Sequence, residues 1–353
     1  MPSYDNKVAI IIGGSAGVGR ATVDALLDRG YAVGVVARGR MRLDELEQMG
    51  VATYGADAGD AGQLDAAADH LVGRLGTPTV WVNCAMATSF SAFKDTPAED
   101  FERVIRTTLM GQVNGTRAAL RHMIRGNIVN IGSGLSYRAV PLQSAYCAAK
   151  HAINGFTASV RSELIAEDSP IHLSLVQLPA MNTPQFDWAR SRLAQQPQPA
   201  PPVYTARVAA DAVLRAIDTN ARELFVGNSV LKLVFGQFLV PNYLDNRMSR
   251  DGITGQKSDR PAPGVQQGNL YEPVDYPTSP AGSYGDRASD SGVIVDADRA
   301  RKGVFFGLPL LALAAGVAAG LAGARANRSR RLPQRDARTA IPRDFGGDDY
   351  RGS

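Results

Sequence analysis

Short apolar runs alternate with longer amphipathic stretches from the start of this chain to about Arg222, and that alternation leaves few folds open. The runs are 8–12 (VAIII), 32–37 (AVGVVA), 51–54 (VATY), 80–83 (VWVN), 127–131 (NIVNI), 172–178 (HLSLVQL) and 223–226 (ELFV). Several are apolar at consecutive rather than alternate positions, as strands covered on both faces must be. Between them lie helix-like segments at 21–29, 63–75, 100–123 and 144–167. The reading is α/β, a doubly wound parallel sheet of about seven strands.

After Val240 the pattern changes. Residues 252–298 are rich in Pro, Gly, Ser and Asp and poor in aliphatic side chains, a composition that buries too little surface to offset the entropy of ordering. The division expected is a domain over 1–250, a partly disordered arm over 251–302, a hydrophobic helix over 303–324 and an arginine-rich disordered tail over 325–353. Charge supports it. The chain carries 38 Lys plus Arg against 34 Asp plus Glu, net +4, and residues 303–353 alone hold eight arginines, no lysine and four aspartates. The folded part has no basic surplus, so no nucleic-acid partner is expected. The apolar run at 8–12 is too short for a secretory signal and leads straight into glycines. A cytoplasmic location is therefore expected, with Cys84 and Cys147 as thiols. The cysteines show no zinc pattern and the four histidines no ligand spacing, so no metal site is expected.

The first run ends in GGSAGVG, 13–19, ahead of the helix-like RATVDALLDRG. Glycines let the backbone turn sharply and approach a pyrophosphate, and a helix N-terminus offers N–H groups and a positive dipole end. Strand, glycine loop and helix opening an α/β chain make this a Rossmann-type cofactor site, although Gly13-x-x-x-Gly17-x-Gly19 is not the G-x-G-x-x-G spacing. Ser15 and Val18 belong to the same loop. At the end of the second run, where an NAD site carries an acidic residue for the ribose 2′-hydroxyl, stands Ala37-Arg38-Gly39-Arg40. Arg38 can pair with a 2′-phosphate, so NADP(H) is favoured over NAD(H).

The strongest signal is Tyr146-Cys147-Ala148-Ala149-Lys150, with Ser133 upstream at the end of NIVNIGS. Tyr and Lys at i and i+4 share a helix face, and a nearby ammonium favours a phenolate otherwise formed only near pH 10. Ser133 can then hydrogen-bond a substrate oxygen while Tyr146 moves the proton and hydride passes at a nicotinamide.

With these residues in place, the chain resembles the short-chain dehydrogenase/reductase family over roughly residues 5–230. That family's loop reads T-G-x-x-x-G-x-G, and Ile12 takes the place of its threonine. The resemblance implies catalysis by Ser133, Tyr146 and Lys150, with Tyr146 and Lys150 also at the nicotinamide ribose. It implies Asp57 at the adenine, and Asn83 in Asn83-Cys84-Ala85-Met86, which matches the family's N-N-A-G. It implies Thr183 at the carboxamide after Pro179-Ala180. Thr108, in Thr107-Thr108-Leu109-Met110-Gly111, stands where the family has a fourth catalytic residue, an asparagine. A bulky Met86 replaces a glycine. LPAMNTPQFDWARSRL, QPQPAPPVY and NLYEP resemble features of a subgroup with a C-terminal extension. A homo-oligomer joined through the helices from Asp100 and Ser144 is also implied.

Residues 185–204 occupy the substrate-loop position, and Phe186 and Trp188 are expected to wall an apolar alcohol or ketone. Residues 304–324 carry no charge and are long enough to span a bilayer, with Ala312, Gly316, Gly320 and Ala324 forming a ridge of small residues. The function expected is an NADP(H)-dependent oxidoreductase on an alcohol/carbonyl pair, attached to a membrane through 303–324. The alternative is an NADP(H)-binding, membrane-recruited scaffold with little turnover.

Overall fold

The computed structural model describes residues 7–262, 264–274 and 276–330, which divide into two compact units after Ala300. The first unit is built on one large sheet. Its strands are β1 (Val8–Ile12), β2 (Ala32–Ala37), β3 (Ala52–Gly55), β4 (Val80–Asn83), β5 (Gly126–Ser133), β6 (Ile171–Leu178), β7 (Glu223–Val226) and β8 (Ile294–Asp296). They lie in the order β8-β7-β6-β5-β4-β1-β2-β3. Neighbours from β7 to β3 are parallel, and β8 closes the edge antiparallel to β7.

Successive residues of β1 serve opposite faces, which is why all five are apolar and buried. Ala9 and Ile11 enter a cluster with Val23 and Leu26 of α1 (Gly17–Asp28) and Val213 of α7 (Ala206–Thr219). Ile10 and Ile12 enter the other, with Leu64 and Leu71 of α3 (Ala61–Leu75) and Ala118 of α5 (Gly111–His122). Because β1 sits between β2 and β4, the strand order reverses there. The carboxyl ends of the strands open a crevice at that point, and the functional loops gather around it. These include α2 (Arg40–Gln48), α4 (Ala98–Ile105) and α6 (Ser144–Ala166). A five-residue π turn, Arg106–Met110, joins α4 to α5.

The seven expected strands are all present, and the arm corrects the rest of the reading. Residues 251–302 were expected to be partly disordered, yet the described part folds against the domain. Lys257–Pro261 pairs with Gln195–Pro197, and Ala288–Ser289 extends a small sheet through Val203–Thr205. Residues 294–296 supply β8, the eighth strand. Leu270 is wholly buried among Ala87, Val104 and Ala145, and the Tyr284 hydroxyl donates to the Pro197 carbonyl at 2.8 Å. Composition misleads here because the arm needs no core of its own. Its few apolar side chains enter the domain's core, and its backbone groups find partners on the domain.

In the second unit a π turn, Gly303–Gly307, precedes a helix over Leu308–Arg330. The helical run Ala297–Ala322, of mean hydropathy 2.2, is long and apolar enough to cross a membrane. Most of the expected tail, 331–353, lies outside the described residues. Removing the buried Leu270 side chain tests the arm's part in the fold. Leu270→Ala should lower stability by about 2–4 kcal/mol in denaturant unfolding, and a loss near zero would return the arm to disorder.

Candidate active site

Ser133 ends β5 in the middle of the sheet, and the chain then turns tightly. Its Oγ accepts from the Leu135 amide at 3.1 Å and lies near enough to the Tyr146 phenol to pull its pKa down. Its own amide donates to Gln177 Oε1 at 2.7 Å, which fixes the strand end. Tyr146 and Lys150 lie one turn apart on α6. The Lys150 ammonium is 5.5 Å from the Tyr146 ring centroid and donates to the Ile131 carbonyl at 2.7 Å. The three expected catalytic residues therefore meet on one cavity wall.

Burial dominates their protonation. It pushes the Tyr146 phenol well above its ordinary value, with the Ser133 hydroxyl pulling the other way. It also draws Lys150 down to about 8. Burial therefore favours the neutral phenol over the phenolate expected from the neighbouring ammonium.

Thr108 departs from its expected place. Within the π turn its hydroxyl donates to the Ala87 carbonyl at 2.8 Å and accepts from the Ala87 amide at 3.0 Å. It braces the segment after β4 and does not line the cavity. The residue nearest Lys150 from this helix is Gln112, which the sequence reading missed. Its Nε2 donates at 2.8 Å to the same Ile131 carbonyl that Lys150 uses, and its buried Oε1 has no partner among the described residues. Its position one turn beyond Thr108 was the available signal.

One continuous cavity of about 680 Å³ runs from Arg38 and Asp57 past Ser15, Gly17 and Thr183 to Ser133, Tyr146 and Lys150. That is an ordinary size for a cofactor and substrate site. The glycine loop packs closely on itself and on the segment after β4. Gly13 has φ +85°, and a Cβ there would lie 2.6 Å from the Ala85 backbone. A Cβ on Gly19 would lie 2.1 Å from the Gly13 carbonyl, so Gly19 shapes the loop from beneath, while Val18 lines the cavity. Asp57 lines the cavity beside Arg38. Burial alone would raise its pKa, but the Arg103 guanidinium at 2.6 Å and the Gly59 amide hold it below the usual range.

Asn83 is not a lining residue. Its side chain donates to Thr116 and Asn130 and accepts from Trp81 in a buried network beneath the sheet ends. Met86 does line the cavity. Phe186 reaches the cavity from a cluster with Phe90 and Tyr284. Trp188, expected at the substrate, lines the cavity too, with the Arg42 guanidinium over its ring at 5.0 Å and Tyr276 meeting it edge-on. The apolar wall on the catalytic side comes from Leu135, Val140, Leu233, Leu244 and Met248. The last three follow β7, where the sequence showed no motif.

The shifted lysine gives a stability test. Lys150 binds its proton less tightly folded, at about 8, than at its ordinary 10.5. The unfolded chain therefore holds the extra proton between those values, and stability rises with pH across that window. Lys150→Met should raise the melting temperature at pH 7, and its advantage should shrink above pH 8. A pH-independent difference would contradict the buried ammonium.

Comparison with known proteins agrees with this geometry. The family model for short chain dehydrogenases matches residues 7–194. An uncharacterized oxidoreductase of Bacillus subtilis, YxnA, is 30% identical over 76% of this chain and 78% of its own. Momilactone A synthase of Oryza sativa is 32% identical over 66% of this chain and 87% of its own. A short-chain dehydrogenase from Streptomyces avermitilis superimposes with a TM-score of 0.59 at 24% identity, covering 69% of this chain and 96% of that one, which speaks to the fold. The chain is a member of the short-chain dehydrogenase family, an oxidoreductase by fold, sequence and the side chains gathered in its cleft.

Proposed function

We propose that this oxidoreductase is NADP(H)-dependent and interconverts an apolar alcohol with its ketone or aldehyde. The observation that carries the reading is the meeting of Ser133, Tyr146 and Lys150 on the wall of a cavity that continues to the glycine loop. Bound nicotinamide supplies or accepts the hydride. The chain's own residues do the rest. Ser133 holds the substrate oxygen by hydrogen bond. Tyr146, kept protonated by burial, gives its proton to that oxygen as charge develops on it. Lys150, anchored on Ile131, puts a positive charge beneath the phenol ring and stabilises the phenolate left behind.

The apolar lining by Leu135, Val140, Leu233, Leu244 and Met248 supports a hydrophobic substrate, and Arg38 at the adenosine end supports the 2′-phosphate. Exposed apolar residues at the ends of α5 and α6, Ile124 and Ile165, support a homo-oligomer. The apolar run Ala297–Ala322 supports attachment of a cytoplasmic enzyme to a membrane.

Purified wild type and Tyr146→Phe, given NADPH and a panel of apolar ketones and aldehydes, test the reading. Wild type should consume NADPH. The variant should bind it equally by fluorescence but turn over about 10²–10⁴-fold more slowly. Binding without turnover by wild type on every compound would uphold the alternative, a cofactor-binding scaffold. That alternative draws on Thr108, whose hydroxyl is committed to Ala87.

A further inference from the structure

The arm crosses the adenosine end of the cleft, and the contacts there are of one kind. Arg38 donates to the carbonyls of Asn269, Leu270 and Tyr271. Arg42 donates to the carbonyls of Val274 and Tyr276 at 2.8 and 3.2 Å. Arg103 donates to the Leu270 carbonyl at 3.0 Å while pairing with Asp57. The glycine loop is tied down as well, since the Gly17 amide donates to the Ser279 carbonyl and the Thr278 hydroxyl to the Ser15 carbonyl, both at 2.8 Å. A second anchor is the Thr278 amide, which donates to the Glu45 carboxylate at 2.7 Å. Asn269 lines the cavity itself. The arm thus roofs the cleft without filling it.

Neutral carbonyls orient a guanidinium without cancelling its charge. Three arginines meet here; the acidic groups acting on Arg38 are Asp57 and Glu272, and Asp57 is already paired with Arg103. A guanidinium has five N–H donors, and Arg38 uses three of them on the described residues, which leaves two for an anion. We propose that segments 269–274 and 276–279 are the outer wall of the dinucleotide site, aiming Arg38 and Arg42 at the 2′-phosphate of NADP(H) and lifting for the cofactor to exchange. This rests on the NADP(H) reading above and adds its gate and the determinant of its selectivity. Arg42 thereby becomes a second selectivity residue, positioned by the arm and by Trp188.

Stopped-flow fluorescence with NADPH and NADH tests the clasp. In wild type the observed association rate should level off with rising NADPH, at the rate of arm opening. Glu45→Ala combined with Thr278→Ala removes two anchors outside the arginine contacts. Entry and release should both quicken by about tenfold, as expected for the loss of one or two net hydrogen bonds. The preference for NADPH over NADH should also narrow. Linear wild-type kinetics, together with unchanged rates and preference in a variant with an intact melting transition, would overturn the clasp while leaving the cofactor assignment standing. Should the variant not fold, the concentration dependence in wild type decides alone. Failure of wild type to bind either dinucleotide would overturn the cofactor reading, and the clasp with it.

Discussion

Arginine side chains bound to backbone carbonyls hold the arm, at residues 269–274 and 276, against the sheet domain. Arg38 at the end of β2, Arg42 in α2 and Arg103 in α4 come from three separate elements, and all three reach the same stretch of arm. A Pro- and Gly-rich segment with few apolar side chains has little to bury, so its order depends on its backbone polar groups finding partners. Charged donors are well suited to that, because hydrogen bonds from a guanidinium are stronger than neutral ones. The same contacts turn the arginines toward the cleft with their charge intact. The arm's order and the orientation of these arginines thus share one cause.

The catalytic end depends on burial in a comparable way. Ser133, Tyr146 and Lys150 stand where β5 and α6 meet, and the desolvation that raises the phenol also lowers the ammonium. A phenol pushed up and an ammonium pulled down by the same burial are the pairing the proposed proton transfer needs. Ile131 carries both Lys150 and Gln112 on its carbonyl, so the position of the ammonium is set from α5 as well as α6. Thr108 contributes elsewhere, as a brace for the segment that presses against Gly13.

Much of this was legible in the sequence, and the exceptions have physical causes. The seven parallel strands followed from consecutive apolar residues, because a strand between two helical layers cannot alternate. Ser133, Tyr146 and Lys150 were legible because their spacing couples a strand end to one helix face. Asn83 and Thr108 were misplaced for a common reason. Motif position says where a backbone runs, but each side chain turned to a buried partner, Asn130 and Thr116 in one case and Ala87 in the other. Arg42 and Gln112 were missed because their partners lie far away or on main-chain atoms. The arm's order was illegible because its stabilising groups belong to other elements, some more than 160 residues distant.

The central claim is that this cleft, with Arg38 and Arg42 aimed into it, is built for a dinucleotide bearing a 2′-phosphate. The most direct measurement is the equilibrium dissociation constant of wild-type protein for NADPH and for NADH, side by side at one ionic strength. The account predicts that NADPH binds more tightly by about tenfold or more, the equivalent of about 1.4 kcal/mol or above from the phosphate. Equal affinities, or a preference for NADH, would contradict it.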